Sequence, residues 1–180
     1  MTNKSTFSIL LLSIILMFVS GCETEDPFSI PPPDFSTVPD AYNISNIEPQ
    51  VIDEGVTIYV HDEGAQNFFV TARDEVVAYI TLRTEGGEII YSSFANGGTS
   101  PVPIGMINAG NVQSVFQYSV LLAYSPGLKT GLLGMADGEQ RTIIVEPEQG
   151  FGDVSDTNAN TAFREDTLIY DILVSEINPG

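Results

Sequence analysis

One clear helix start, set among segments patterned as strands, most constrains how this chain can fold. Ser125 is a favoured N-cap residue, and Pro126 suits the first helical position because its missing N–H has no partner there anyway. The apolar residues that follow recur at near-helical spacing, and a glycine lies past the expected end: Leu128, Leu132, Leu133, Met135 and then Gly138. The sequence therefore predicts one short helix.

Strand-like segments make up most of the chain from Val51 onward. They are short, rich in β-branched and aromatic residues, and bounded by turn residues: 56–60, 76–84, 88–94, 112–123, 141–146 and 167–177. Gly86-Gly87 predicts a hairpin turn between the second and third of them, and a polar loop, 152–166, precedes the last. One short helix among several strands indicates an α+β domain.

Composition excludes several classes of function. The chain has 24 acidic and 6 basic residues and a net charge of -18, which disfavours nucleic acid as a partner because phosphate binding needs Lys and Arg. The only histidine, His61, is predicted at a strand end on the surface, so no Ser–His–Asp triad can be built. A domain of this composition must work without a conventional nucleophile.

A metal or cofactor is not expected either. One loop offers oxygen ligands, which makes calcium conceivable: Asp153, Asp156, Asn158 and Asn160. Their spacing matches no EF-hand, so the loop is predicted to be solvated. An enzyme built on this chain therefore has to act through the shape and polarity of a pocket.

The N-terminus has the pattern of a bacterial lipoprotein signal peptide, residues 1–21. Lys4 supplies a positive start, and residues 9–19 form an apolar stretch too short for a membrane span of about 20 residues. Residues 19–22 resemble a lipobox, in which Cys22 becomes the lipidated first residue and carries acyl chains such as palmitate. A simple secretory signal or an N-terminal helix is the alternative.

The residues after Cys22 are predicted to tether the domain to the outer membrane, on its periplasmic or its surface-exposed face. Glu23, Glu25 and Asp26 resemble the export signals of Bacteroidota surface lipoproteins, although a solvated tether explains them equally well. Six prolines favour an extended spacer over residues 22–50. The folded domain is accordingly predicted to occupy residues 51–180.

The stretch 128–152 resembles the central signature of FKBP-type peptidyl-prolyl cis-trans isomerases. The matching residues begin one position earlier and are Gly127, Gly131, Met135, Gly138, Glu139, Arg141, Ile143, Val145, Pro147, Phe151 and Gly152. Residues 167–172 look like the closing strand of that family, and 87–93 resemble its hairpin in weaker form. The resemblance spans roughly 51–178 and implies an FKBP-like antiparallel sheet wrapped around one short helix.

The resemblance also implies which residues form the catalytic pocket. The backbone N–H of Ser125 would hold the substrate carbonyl, Leu128 would form the floor in place of a tryptophan, and Phe151 and Tyr170 would form walls. The residues expected to contact substrate around them are Tyr79 (or Ile80 in the other register), Ile90, Tyr91, Tyr124 and Phe163. Tyr91 replaces the usual pocket aspartate, and Phe151 lacks the hydroxyl of the usual tyrosine.

The expected function is therefore proline isomerisation in exported proteins at the cell envelope, without a cofactor. Because the pocket has lost a carboxylate and a hydroxyl, slow isomerisation, or peptide binding with little turnover, is expected. A non-catalytic module that binds peptides or unfolded chains on the same fold is the alternative. A surface adhesin or glycan-binding sandwich is a third class, which the predicted helix disfavours.

Overall fold

A seven-stranded antiparallel sheet forms the body of the protein within the residues that the structure describes. The structure is a computed structural model and describes residues 31–107, 123–155 and 159–180. The strands are β1 (Gln50–Asp53), β2 (Val56–Asp62), β3 (Glu75–Thr84), β4 (Ile89–Ser92), β5 (Val102–Gly105), β6 (Gln140–Val145) and β7 (Leu168–Asn178). Their order across the sheet is β1-β2-β6-β7-β3-β4, and β5 pairs with β3.

The predicted helix is present as α1 (Pro126–Leu132), which packs against β1, β2 and β6. Two glycines allow this close approach, because a Cβ on Gly127 would collide with Val145 and one on Gly131 with Ile143. Short 3-10 helices occur at Ala95–Gly97, Pro147–Gln149 and Ala159–Phe163. The predicted architecture, an antiparallel sheet with one short helix, is confirmed.

Arg141 holds the end of α1. Its guanidinium donates to the Gly131 carbonyl at 2.7 Å, which satisfies one of the carbonyls left open at a helix C-terminus. Glu139 binds the same guanidinium at 2.6 Å, and both side chains are buried. Burial lowers the pKa of Arg141, while the charge of Glu139 opposes that shift. The helix is thus fixed to β6 by a polar clamp as well as by glycine packing.

The face of the sheet that meets α1 carries an apolar row across five strands. Strand register places these residues opposite one another, and all are buried: Ile58, Ile143, Tyr170, Leu82 and Tyr91. We call this set the inner row. Because side chains alternate along a strand, the next residue on each strand faces the other side.

The opposite face carries a second row, formed by the adjacent residue on each of the same five strands. Register pairs these residues across the same five strands: Tyr59, Thr142, Asp171, Thr81 and Ser92. We call them the outer row. All but Tyr59 are buried although each is polar.

The N-terminal strap, residues 34–47, lies against this outer face. Arg83 on β3 donates to the Pro39 carbonyl, and the Tyr42 amide donates to Asp171 at 3.3 Å. At its start the strap makes reciprocal hydrogen bonds with Asn96, from the Asp34 amide to Asn96 Oδ1 at 2.8 Å and from the Asn96 amide to the Asp34 carbonyl at 2.7 Å. The compact unit begins at Pro33. This start differs from the predicted boundary at Val51, because part of the predicted spacer packs on the sheet.

Several predictions fall on residues outside the described ranges. The signal peptide 1–21, Cys22 and most of the predicted strand 112–123 belong to them. Among the residues that the structure does describe, no helix has the length and apolar character needed to cross a bilayer.

Candidate active site

Ser125 begins α1, and its own amide has no acceptor among the described residues. Its extended backbone (φ -139°, ψ 160°) and side chain make it the N-cap, and its Oγ accepts from the Leu128 amide at 3.1 Å. Its backbone N–H donates to no other residue in the described part of the chain. Since buried backbone donors are nearly always paired, an N–H with no acceptor among the described residues is an exception at this position.

The three side chains predicted as floor and walls are buried in one core cluster. Leu128 lies on α1, Tyr170 lies on the inner row, and Phe151 belongs to the same continuous core cluster. Phe151 is placed by a tight turn in which the Gly152 amide donates to the Pro147 carbonyl at 2.8 Å. The residues predicted as the floor and both walls are thus all buried members of one core cluster.

Three of the side chains predicted to contact substrate are half-buried and packed against this cluster: Ile90, Tyr124 and Phe163. Ile90 is the extra residue of a bulge between β3 and β4. Burial raises the pKa of Tyr124, partly offset by a hydrogen bond with the Gly105 backbone. All three side chains are thus partly exposed at the edge of the core cluster.

Tyr91 lies in the same row of the sheet as the predicted wall residue Tyr170. It is opposite Leu82, whose other neighbour across the sheet is Tyr170, so both tyrosines belong to the inner row. Burial raises the pKa of Tyr91, and its hydroxyl hydrogen-bonds to no residue that the structure describes. An uncharged phenol therefore stands where the resemblance implies a carboxylate.

Tyr79 does not belong to the site, which corrects its assignment as a substrate-binding residue. Its ring stacks on Phe94 at a centroid distance of 5.3 Å, and its hydroxyl donates to the Thr99 carbonyl. The neighbouring Ile80 is fully buried in the core cluster. Ile80, the alternative in the other register, is thus the core-facing residue, because a one-residue slip moves a strand side chain to the opposite face.

Sequence reasoning missed two further parts of this region. Ile104 and Met106, at the end of β5 and just after it, are fully buried in the same cluster. Their alternation with polar or small neighbours after Pro101 is the signal that could have identified them. His61, predicted at the surface, is half-buried on the outer face, where its Nε2 lies 2.9 Å from Thr142 Oγ1.

The polar loop shows no metal centre within the described residues. No group of three or more His, Cys, Asp or Glu side chains there could hold an ion. Asp153 is exposed and Asn160 is buried, while Asp156 and Asn158 lie outside the described ranges.

Comparison with protein-family models gives a single family. The model of FKBP-type peptidyl-prolyl cis-trans isomerases, FKBP_C, matches residues 67–175, which is more than half of the chain. This chain belongs to the FKBP-type peptidyl-prolyl cis-trans isomerase family. A comparison with curated proteins found no match.

Solved structures show the same fold at low identity. The chain is similar to the three FKBP domains of wheat FKBP73 (21% identity, TM-score 0.53, covering 72% of this chain and 48% of that one). It is also similar to the N-terminal domain of FKBP42 from Arabidopsis thaliana (17%, 0.54, 79% and 98%) and to FkpA from Escherichia coli (18%, 0.53, 73% and 52%). The chain thus spans about half the length of the wheat and E. coli proteins and nearly all of the Arabidopsis domain.

Proposed function

We propose that this protein catalyses cis–trans isomerisation of X-Pro bonds in exported proteins, at the cell envelope, anchored through a lipid on Cys22. The observation that carries the catalytic part is the Ser125 amide, which has no acceptor within the described chain and lies beside buried apolar walls. The lipobox-like residues before Cys22 support the anchor and the location.

The chemistry needs neither a nucleophile nor a metal. Amide resonance opposes rotation about a peptide bond with a barrier of roughly 18–20 kcal/mol. The twisted transition state has lost conjugation and has a less polar carbonyl, so an apolar pocket favours it over the planar ground state. Selective binding of this kind accelerates a reaction without a covalent intermediate. In this chain Leu128, Phe151 and Tyr170 would supply the apolar surface, and the Ser125 amide would hold the substrate in register.

Turnover is expected to be slow. Phe151 keeps an aromatic wall without a hydroxyl donor, and Tyr91 supplies no negative charge. The fully buried walls Phe151 and Tyr170 have to be uncovered before a prolyl ring can contact them. A slow catalyst is still useful, because uncatalysed isomerisation takes tens to hundreds of seconds.

Binding without turnover is the second candidate function. Tyr91, only 9% exposed, fills part of the inner row next to the walls and narrows the space for a rotating proline. The same groove could then hold an extended peptide of an unfolded chain. The two functions differ in whether the exchange rate of the bound prolyl bond rises.

A proline-isomerisation assay on a short X-Pro peptide separates them. The wild-type chain is expected to accelerate exchange above the blank, and Phe151→Ala to lose most of that acceleration because a wall is removed. Val51→Ala, on the exposed strand β1, is the matched control for a truncated apolar side chain. Wild-type rates equal to the blank would rule out catalysis and leave binding.

The envelope location needs its own experiment in a bacterial host. The wild-type chain is expected to incorporate labelled palmitate and to fractionate with membranes, and Cys22→Ala to do neither. Export of an unlabelled wild-type chain into the soluble periplasmic fraction would instead indicate a simple secretory signal.

A further inference from the structure

The N-cap side chain of α1 accepts a second hydrogen bond, from outside the helix. The Tyr170 hydroxyl donates to Ser125 Oγ at 2.9 Å, the oxygen that also accepts from the Leu128 amide. We propose that Tyr170, besides forming a wall, is a positioning residue that acts through Ser125 Oγ to fix the substrate-holding amide of Ser125. This inference rests on the proposed function, because it assigns that amide to the substrate.

Burial strengthens the contribution of this hydrogen bond to the position of Ser125. Tyr170 is fully buried and Ser125 is 1% exposed, so water does not replace either partner. Burial also raises the pKa of Tyr170, which keeps the hydroxyl protonated and able to donate throughout the physiological range. Tyr170 lies on β7, opposite Ile143 of β6 and Leu82 of β3, so its position is set by the centre of the sheet.

The start of α1 needs such support. The helix has seven residues, and isolated helices shorter than about 12–15 residues are marginal in water. One side-chain oxygen that binds both the first turn of α1 and β7 connects the N-cap to a strand paired on both sides. The Ser125 backbone, whose amide has no acceptor of its own among the described residues, then keeps a fixed direction.

The expected kinetic consequence is specific. A fixed amide holds the substrate carbonyl in the ground state and in the transition state alike, so its loosening weakens both equally. Loss of such uniform binding raises KM and leaves kcat unchanged. A purely structural role would instead reduce the fraction of folded enzyme, which lowers apparent kcat at unchanged KM.

Tyr170→Phe tests this directly, since it keeps the ring and removes the hydroxyl. We expect KM for a short X-Pro peptide to rise about two- to tenfold with kcat close to wild type. Tyr59→Phe, a half-buried tyrosine on the opposite face, is the matched control and is expected to change neither constant. An unchanged KM in Tyr170→Phe, or a fall in kcat alone, would overturn the proposal.

A double-mutant cycle with Ser125→Ala tests whether the effect passes through Ser125. In the Ser125→Ala background, Tyr170→Phe is expected to raise KM no further, because the accepting oxygen is already gone. The same fold-change in both backgrounds would show that the two residues act independently and would contradict the inference. Ser125→Thr, which keeps an accepting hydroxyl, is expected to restore most of the KM.

The proposed function and this inference can fail separately. If the wild-type chain binds the peptide without turnover, the same cycle is measured on the dissociation constant. A tryptophan in the peptide then reports binding, since the chain contains none. Coupling between Tyr170 and Ser125 in that constant would support the positioning role although catalysis had failed. A wild-type chain that neither turns over nor binds the peptide would overturn both.

Discussion

The two faces of the sheet are built on opposite principles, although their central rows are only one residue apart. The inner row meets α1 with apolar side chains, and its polar hydrogen bond joins Tyr170 to Ser125. The outer row buries hydroxyls and a carboxylate, and Asp171 at its centre accepts from Arg83 and Thr142, each at 2.8 Å. The inner face is stabilised mainly by apolar packing, and the outer face by directional hydrogen bonds and an ion pair.

The comparison teaches where this chain departs from its family. The family model begins at residue 67, so the N-terminal strap that covers the outer row lies outside the matched segment. A buried Asp171 needs its partners and a cover against water, and the strap supplies both through the Tyr42 amide and the Pro39 carbonyl bound to Arg83. The matched segment thus contains α1 and most of both rows, while the strap that covers the outer row lies before it.

Asp171→Ala is expected to have the largest effect on stability. It removes the acceptor of Arg83, whose side chain is 9% exposed and would be left as a buried unpaired charge. Breaking a buried ion pair in this way costs about 3–5 kcal/mol of unfolding free energy. Urea denaturation followed by circular dichroism measures it.

The control removes both charges. Arg83→Met combined with Asp171→Leu is expected to recover much of the loss, because an apolar pair of similar volume tolerates burial. A single-variant loss of less than about 1 kcal/mol, the range of surface pairs, would show that the outer face does not depend on this interaction.

Gly131→Ala tests the inner face, where close packing between α1 and β6 contributes to stability. The added methyl meets the side chain of Ile143, so overpacking is expected to cost about 1–3 kcal/mol despite the better helix propensity of alanine. Combining it with Ile143→Ala is expected to cost less than the sum of the two single changes, since the methyl gains space. Strict additivity in urea unfolding would mean that α1 shifts freely on β6.

The start of α1 could be predicted because its signals are local, with Ser125 at the N-cap and Pro126 at the first helical position. The strands β6 and β7 were expected from their strand-like composition, and the pocket residues Leu128, Phe151 and Tyr170 from the family resemblance.

Tyr79 was expected at the site from the family resemblance, whose register also allowed Ile80. Along β3 the core-facing residues alternate without interruption as Val76, Ala78, Ile80 and Leu82, and the extra residue in the pairing with β7 lies on β7. Alternation along β3 therefore favours Ile80, the residue of the other register.

The strap was missed for a different reason. Its prolines favour an extended backbone, which suits a free spacer and a segment lying on a sheet equally well. What decides between them is the match of Pro39 and Tyr42 to Arg83 and Asp171, which are distant in sequence. Contacts of that kind are not encoded in composition.

Thr37→Val is expected to have a smaller effect, confined to one end of the strap. The Thr37 hydroxyl donates to the Phe94 carbonyl at 2.6 Å and accepts from the Gly97 amide at 3.1 Å. Because these groups are exposed, their loss is expected to cost about 1 kcal/mol or less. Faster hydrogen exchange at Gly97, with isomerase rates unchanged, is the measurement. Slower isomerisation would show that this loop also shapes the pocket.

The smallest expected effect is a pH dependence of folding stability that arises from His61 on the outer face. Burial lowers the pKa of His61 below its usual 6.5, and the charge of Asp171 raises it, with burial the larger cause. The folded state then binds fewer protons than the unfolded state just below pH 6.5, so stability falls as the pH decreases through that range. Relative to His61→Gln, the wild-type urea midpoint is expected to be lower at about pH 5 than at about pH 7.5. The comparison with the variant cancels the titration of the many carboxylates. A wild-type midpoint that rises relative to the variant on acidification would mean that the Asp171 charge, not burial, dominates the outer face at this residue.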